Sequence, residues 1–218
     1  MEVIMESYTS NKVGGLCLII GPALATVVYI LSEFVFPTLG GLSPSDFSGR
    51  ANAAANALAY ERLLLLIIPV ALVCAWNGLK VVQGMCKADG VGDGLTGLGV
   101  NLFFFNIISI FVAIGAFQAF AWVGPNADIA TMVGGVQTLG ALLGSIGVAL
   151  FALGLSTRPE FNKIFSLVIA ALFAISAVTA VIGMNDTSSW QIISAYWGLT
   201  YIAISAWSIH LGLVIKNK

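Results

Sequence analysis

"AYERLLLLIIPVALV", residues 59–73, sets Glu61 and Arg62 side by side directly before a run without one polar side chain. Such a run is expelled from water, so the pair marks either the edge of a membrane span or a charge set inside one. The rest of the chain repeats the pattern. Of 218 residues 59% are hydrophobic and only 9% charged, with a mean hydropathy of +0.99. Soluble domains carry about 25% charged residues, so a water-soluble fold of this chain would expose too much apolar surface. In hydrocarbon the backbone must satisfy its own polar groups, which leaves helices or a closed barrel. Barrel strands alternate in polarity over about 10 residues. The runs here are about twice that length and do not alternate, so the fold class expected is an all-α polytopic membrane protein.

A span needs about 20 apolar residues. Six segments qualify: Val13–Phe36, Leu63–Leu79, Leu98–Val123, Ile129–Leu155, Ile164–Met184 and Trp190–Ile215. Short polar linkers such as "VGPNAD", "STRPEFNK" and "NDTSSW" leave no room for an extramembrane domain, so residues 1–218 read as one six-helix bundle. Lys12, Lys80, Lys87, Arg158, Lys163, Lys216 and Lys218 fall on one side of that count, and only Arg50 and Arg62 on the other. By the positive-inside rule both termini are expected in the cytoplasm. The first apolar run is followed by the bulky "SEFVFPTLGG", without a small-residue cleavage site, and reads as a retained span.

Two linkers are longer. Ser43, Pro44 and Asp46 read as a helix start before "ANAAANALA". A helix from there to Leu79 would be about 55 Å long, so either Gly49 breaks it or the 43–62 segment lies along the membrane or folds over the bundle. The inner stretch "KADGVGDGLTGLG" holds Asp89 and Asp93 but lacks the other oxygen ligands of a calcium loop, and reads as a flexible solvated loop. Ser188 and Gln191 have capping-box spacing for the last helix. Gly21-Pro22 and Pro69 are expected to kink their helices.

Chemistry is sparse. Adjacent helical residues point about 100° apart, so Glu61 and Arg62 do not pair with each other; Glu33, near the end of the first span, is the better partner for Arg62. These charges near the boundary read as helix anchors, with a polar mouth to a cavity as the functional alternative. No acidic or basic residue stands at the centre of a span, where ion-coupled transporters place theirs. His210 has no Cys or carboxylate at i±3 or i±4, Cys17, Cys74 and Cys86 read as small apolar fillers, and no metal site is expected. No hydrolase, zincin or phosphate-loop motif occurs, so an enzyme acting alone is not expected, and no basic stripe suits nucleic acid.

Neutral polar residues remain. Asn101, Asn106, Ser109 and Gln118 lie among phenylalanines in the third span. Ser194, Trp197, Tyr201, Ser205 and Ser208 share one face of the sixth. Such faces either bond other helices or line a site for a lipid or other lipophilic ligand. Gly140, Gly144 and Gly147 allow close helix approach, within the bundle or to another subunit.

Three stretches carry a resemblance: "GLCLIIGPALATVVYILSEFV", "ANAAANALAYERLLLL" and "LGSIGVALFALGLSTRPEFNKIFSLVIAALF". Their order resembles an uncharacterised family of small bacterial six-span membrane proteins. The resemblance implies a six-helix bundle and assigns no activity or catalytic residue. The function expected is an accessory or structural subunit of a larger assembly in a bacterial or archaeal inner membrane. Its partners would be membrane lipids and other membrane subunits, with a lipid or lipophilic cofactor held between helices. A small transporter or channel for a neutral or lipophilic substrate is the alternative.

Overall fold

Six helices, one on each apolar segment, are long and apolar enough to cross a membrane, the first described from Ser10 to Ile30 with residues 32–36 of the expected span outside the described residues. The computed structural model describes residues 10–31, 46–56 and 59–217. Its α-helices are α1 (Ser10–Ile30), α2 (Phe47–Asn56), α3 (Ala59–Asp89), α4 (Asp93–Val123), α5 (Ala127–Leu155), α6 (Lys163–Asn185) and α7 (Trp190–Lys216). The chain is an all-helical integral membrane protein; α2 is the one described helix too short and polar to span.

Two expectations on boundaries are corrected. The second span does not stop at Leu79 but runs to Asp89, taking Lys80 and Lys87 into the helix. The cause is a continued inward stripe: Leu79, Val82 and Cys86 are buried, while Lys87 stands exposed in the last turn. The supposed flexible loop is a tight turn. Gly90 (φ 76°) and Gly92 (φ 74°) take left-handed conformations open to glycine, and Asp93 already begins α4. A side chain on Gly92 would also strike the Gly154 carbonyl of α5. Thr96 Oγ1 donates to the Gly92 carbonyl at 2.9 Å and seals the turn.

The spans form a ring. Each packs on its neighbours in sequence, and α1 closes the circle on α7. Glycine governs the three tightest seams, because helices without a hydrophobic drive between them gain most from close backbone approach. Between α4 and α5, a Cβ on Gly99 would lie 2.5 Å from the Gly147 carbonyl, and one on Gly147 2.6 Å from that of Gly99. Gly144 and Gly140 on the same stripe abut Asn106 and Ser109 of α4. The GxxxG pattern thus seals the bundle internally. Gly21 and Gly78 do the same between α1 and α3, and Gly15 and Gly212 between α1 and α7. Thr26 Oγ1 adds a bond to the Tyr201 carbonyl (3.1 Å), and Ser205 Oγ donates to that of Pro22 (2.9 Å).

Between α6 and α7 indole donors replace glycine: Trp190 to the Gly183 carbonyl (3.0 Å), Trp197 to Thr179 Oγ1 (3.1 Å) and Trp207 to Ser166 Oγ (3.3 Å). The end of the ring where α1 begins and α7 finishes, its terminal end, is the better packed. Leu18, Val82, Val100, Phe151, Leu155, Trp207 and Leu211 are sealed there, with Phe151 edge-on to Trp207 at 6.3 Å. Arg158 ties the turns of that end together, donating to Glu160 Oε1 (2.6 Å) and to the Val91 carbonyl (3.2 Å). Its charge does structural work that its use as an orientation marker did not anticipate.

At the opposite end the expected capping box is absent: Ser189, not Ser188, precedes α7 and makes no side-chain cap. Asp186 orders this turn instead, accepting from the Ser188 amide (2.9 Å), Ser188 Oγ (2.6 Å) and Ser189 Oγ (2.7 Å). The Ser188 and Ser189 hydroxyls hold its carboxyl below the ordinary value of 3.8. A depressed folded pKa contributes stability that is present above the unfolded value and lost as pH falls through the folded one. Wild-type protein is expected to lose order at this turn below about pH 4, whereas Asp186→Asn, weaker at neutral pH, lacks that acid-dependent step. Trp190 emission titrated from pH 7 to 3 in both proteins checks this, and identical acid profiles would refute it.

Candidate functional site: a cavity in one half of the ring

The half opposite the termini is not filled. A cavity of about 120 Å³ lies there, walled by α1, α3, α4, α5 and α7. The apolar wall is Leu65, Ile68 and Leu72 of α3 with Ile110 and Ile114 of α4. Aromatic rings come from Tyr29, Phe117, Trp197 and Tyr201, with Tyr29 stacked at 4.4 Å from Tyr201. Two amides reach the space, Asn106 from α4 and Gln137 from α5. Neither side chain makes a hydrogen bond among the described residues. Pro69 has no amide hydrogen to give the Leu65 carbonyl of the wall.

A smaller chamber of about 40 Å³ shares Asn106, Ala141, Trp197 and Tyr201 and reaches Phe173 and Ser176 of α6. Nearer the start of α1 and the end of α7, a void of about 10 Å³ lies among Leu79, Gly99, Gly147 and Phe151, at or below what one water needs. An engineered apolar cavity of about 150 Å³ binds benzene, so the larger chamber accepts one small ring or a chain segment. The described lining holds no charged group, and polarity there comes from amides, phenols and indole alone.

At the far end α2 packs across α4 and α5 as a roof on the bundle, and none of its residues is among the described cavity lining. Asp46 caps it, accepting from the Gly49 amide at 2.8 Å, so Gly49 sits inside the helix and does not break it. Of the two readings of this segment, folding over the bundle is the one found. Buried Ala51 lies with Phe120 and Ala130, and Ala55 and Phe117 pack against them. Phe117 therefore touches both the roof and the cavity.

Arg62, one turn before Leu65 of the wall, donates through Nη2 to the Ala55 carbonyl at 2.8 Å. That carbonyl belongs to the last turn of α2, where carbonyls lack helical donors and a cation is favoured. Gln118 Nε2 donates to the Arg62 carbonyl at 3.2 Å. Gln118 is thus part of the roof clasp and not of the cavity lining. Arg62 Nε is buried without a partner among the described residues. Glu33 lies outside the described residues, as does the side chain of Glu61, so the expected Glu33–Arg62 pair falls there too.

Of the residues singled out in the sequence, Asn106, Trp197 and Tyr201 meet at the cavity, and Gly140, Gly144 and Gly147 form the α4–α5 seam. Gln137 and Tyr29 were missed. Gln137 is a polar residue within "GGVQTLG", a stretch dominated by its glycines; Tyr29 carried no signal before its helix was placed beside α7. His210 lies beside Phe165 (ring centroids 6.0 Å), and its Nε2 is buried without a partner among the described residues. No group of three or more His, Cys, Asp or Glu among the described residues could hold a metal ion. No protein-family model matches the chain, and no curated protein or solved structure matches it either.

Arg62→Ala should free α2 without unfolding the ring, at a cost of about 1 kcal/mol for a half-exposed charged hydrogen bond. Hydrogen exchange over residues 51–56 is expected to rise while α4 and α5 stay protected. Unchanged exchange over 51–56 would show that the clasp does not hold the roof.

Proposed function

We propose that this protein is an accessory subunit of a membrane assembly whose own contribution is to hold a small lipophilic group. The ligand would be a ring or chain end with one or two hydrogen-bonding atoms. The observation that carries this reading is the cavity. It is ring-sized and mostly apolar, its described lining is free of charge, and two amides uncommitted among the described residues reach into it. Binding sites of this kind pair an apolar lining with a few placed polar groups. Asn106 and Gln137 supply donors and acceptors, while Tyr29, Trp197 and Tyr201 give flat walls.

The sealed side chains of the other half, Phe151, Leu155, Trp207 and Leu211, support a holder over a conduit, since a transporter needs a continuous path to both faces. The lack of charge in the lining supports a neutral ligand. The reading assigns no catalytic step. It sets the lysine-rich end in the cytoplasm on the charge distribution, and the protein in a bacterial or archaeal cell membrane on the resemblance of its three quoted stretches.

Ala141 lines both chambers, so Ala141→Phe should fill them. Wild-type protein purified in mild detergent should yield to organic solvent a near-stoichiometric lipophilic compound, seen by mass spectrometry. The Ala141→Phe protein, folded to the same helicity, should carry at least tenfold less. An extract holding only bulk membrane lipid, equal in both proteins, would overturn the reading.

A further inference from the structure

The lipid-facing side of α3 and α4 carries two polar interruptions. On α3 the outward stripe runs through exposed Leu63, Leu66, Val70 and Val73 to Asn77. On α4 it runs through Leu98, Asn101, Phe105, Ile108 and Val112, again all exposed. Asn101 makes no hydrogen bond among the described residues. Asn77 has only the Cys17 thiol, an acceptor at 3.8 Å and a weak one. An amide facing hydrocarbon without partners is costly, and polar side chains of this kind are a means by which membrane helices associate.

The two amides lie at one depth. Trp76 meets Phe104 (ring centroids 5.0 Å) and Gln118 bonds the Arg62 carbonyl, so in this antiparallel pair residue 77 stands level with 103. Asn101 is two residues away, about 3 Å along the axis. Asn77 itself is about 16 Å from the nearer end of its membrane-crossing segment, Arg62–Ala88. Gly84 and Gly94, seven residues from each asparagine toward the same end, are also exposed, with nothing near where a Cβ would stand.

Equal depth is the condition a second copy needs. Two copies in one membrane share an orientation and are related by a two-fold axis along the membrane normal. Packing the α3–α4 face on itself then sets α3 of one copy against α4 of the other. Each Asn77 meets an Asn101, and each Gly84 meets a Gly94. An amide carries both donor and acceptor, so each such pair can be mutually satisfied. We infer that the α3–α4 face, through Asn77 and Asn101, is the surface on which two copies of this chain dimerise within the membrane. This is independent of the ligand proposed above, whose cavity lies on the inner side of these helices.

The test uses the full chain reconstituted in liposomes at low density, with dimer fraction read by single-molecule photobleaching. Wild type should dimerise. Asn77→Leu with Asn101→Leu should weaken association roughly fiftyfold, the loss of up to four interhelical amide bonds of average strength. Val178→Leu, on the exposed face of α6, should change nothing. A photocrosslinking residue in place of Leu98, used in native membranes, should join two copies, with the joined peptides drawn from α3 and α4. Equal dimer fractions in wild type and the double variant would overturn the inference. So would crosslinks at position 98 to lipid alone or to a different protein. Loss of the extracted compound on Ala141→Phe with dimerisation intact would leave this inference standing, so the two readings fail separately.

Discussion

Backbone laid directly on backbone is the contact from which the rest of this molecule follows. Lipid tails are as apolar as leucine, so nothing drives one greasy helix against another except closer packing and interhelical hydrogen bonds. Gly99 and Gly147 meet with no room for a single carbon between them, as do Gly15 and Gly212. Those contacts fix the spacing of α4 with α5 and of α1 with α7. The ring closes because glycine recurs where neighbouring spans must touch.

A ring closed tightly at one end stays full only where its side chains are large. Near the termini Phe151, Trp207, Leu155 and Leu18 fill the middle and leave a void too small for use. In the other half the inward positions of α5 and α7 are Gln137, Ala141, Trp197 and Tyr201. Ala141 is too small to reach across, and the larger groups lie against the walls, Trp197 held there by its bond to Thr179. The cavity is thus the place where close helix approach and small side chains fail to coincide with bulk. The α2 roof, held by Arg62 and by Ala51 on Phe120 and Ala130, is set over that half.

The six spans were legible because hydropathy over 20 residues is a property of each segment alone. Boundaries were less so. Charges at Lys80 and Lys87 outweighed the inward spacing of Leu79, Val82 and Cys86, and a linear reading cannot show that this stripe stays packed on the bundle for two more turns. "DGVGDG" looked like a loop by composition, yet two left-handed glycines and contact with α5 make it a turn. Asn106, Trp197 and Tyr201 stood out because polar or amphipathic groups in a span need partners. Tyr29 and Gln137 did not, since their role depends on which helices are neighbours. The question raised by Glu61 and Arg62 has a local answer for the arginine: it closes the end of α2.

The glycine seam can be tested by placing one bulky residue at two positions of the same helix. Gly147 lies against the α4 backbone, whereas a Cβ on Gly135 would meet nothing. Thermal unfolding of purified Gly147→Val and Gly135→Val in one detergent separates seam from surface. The account predicts a loss of about 2–3 kcal/mol for Gly147→Val, as overpacking costs, and about 0.5 kcal/mol or less for Gly135→Val. Equal effects at the two sites would contradict it.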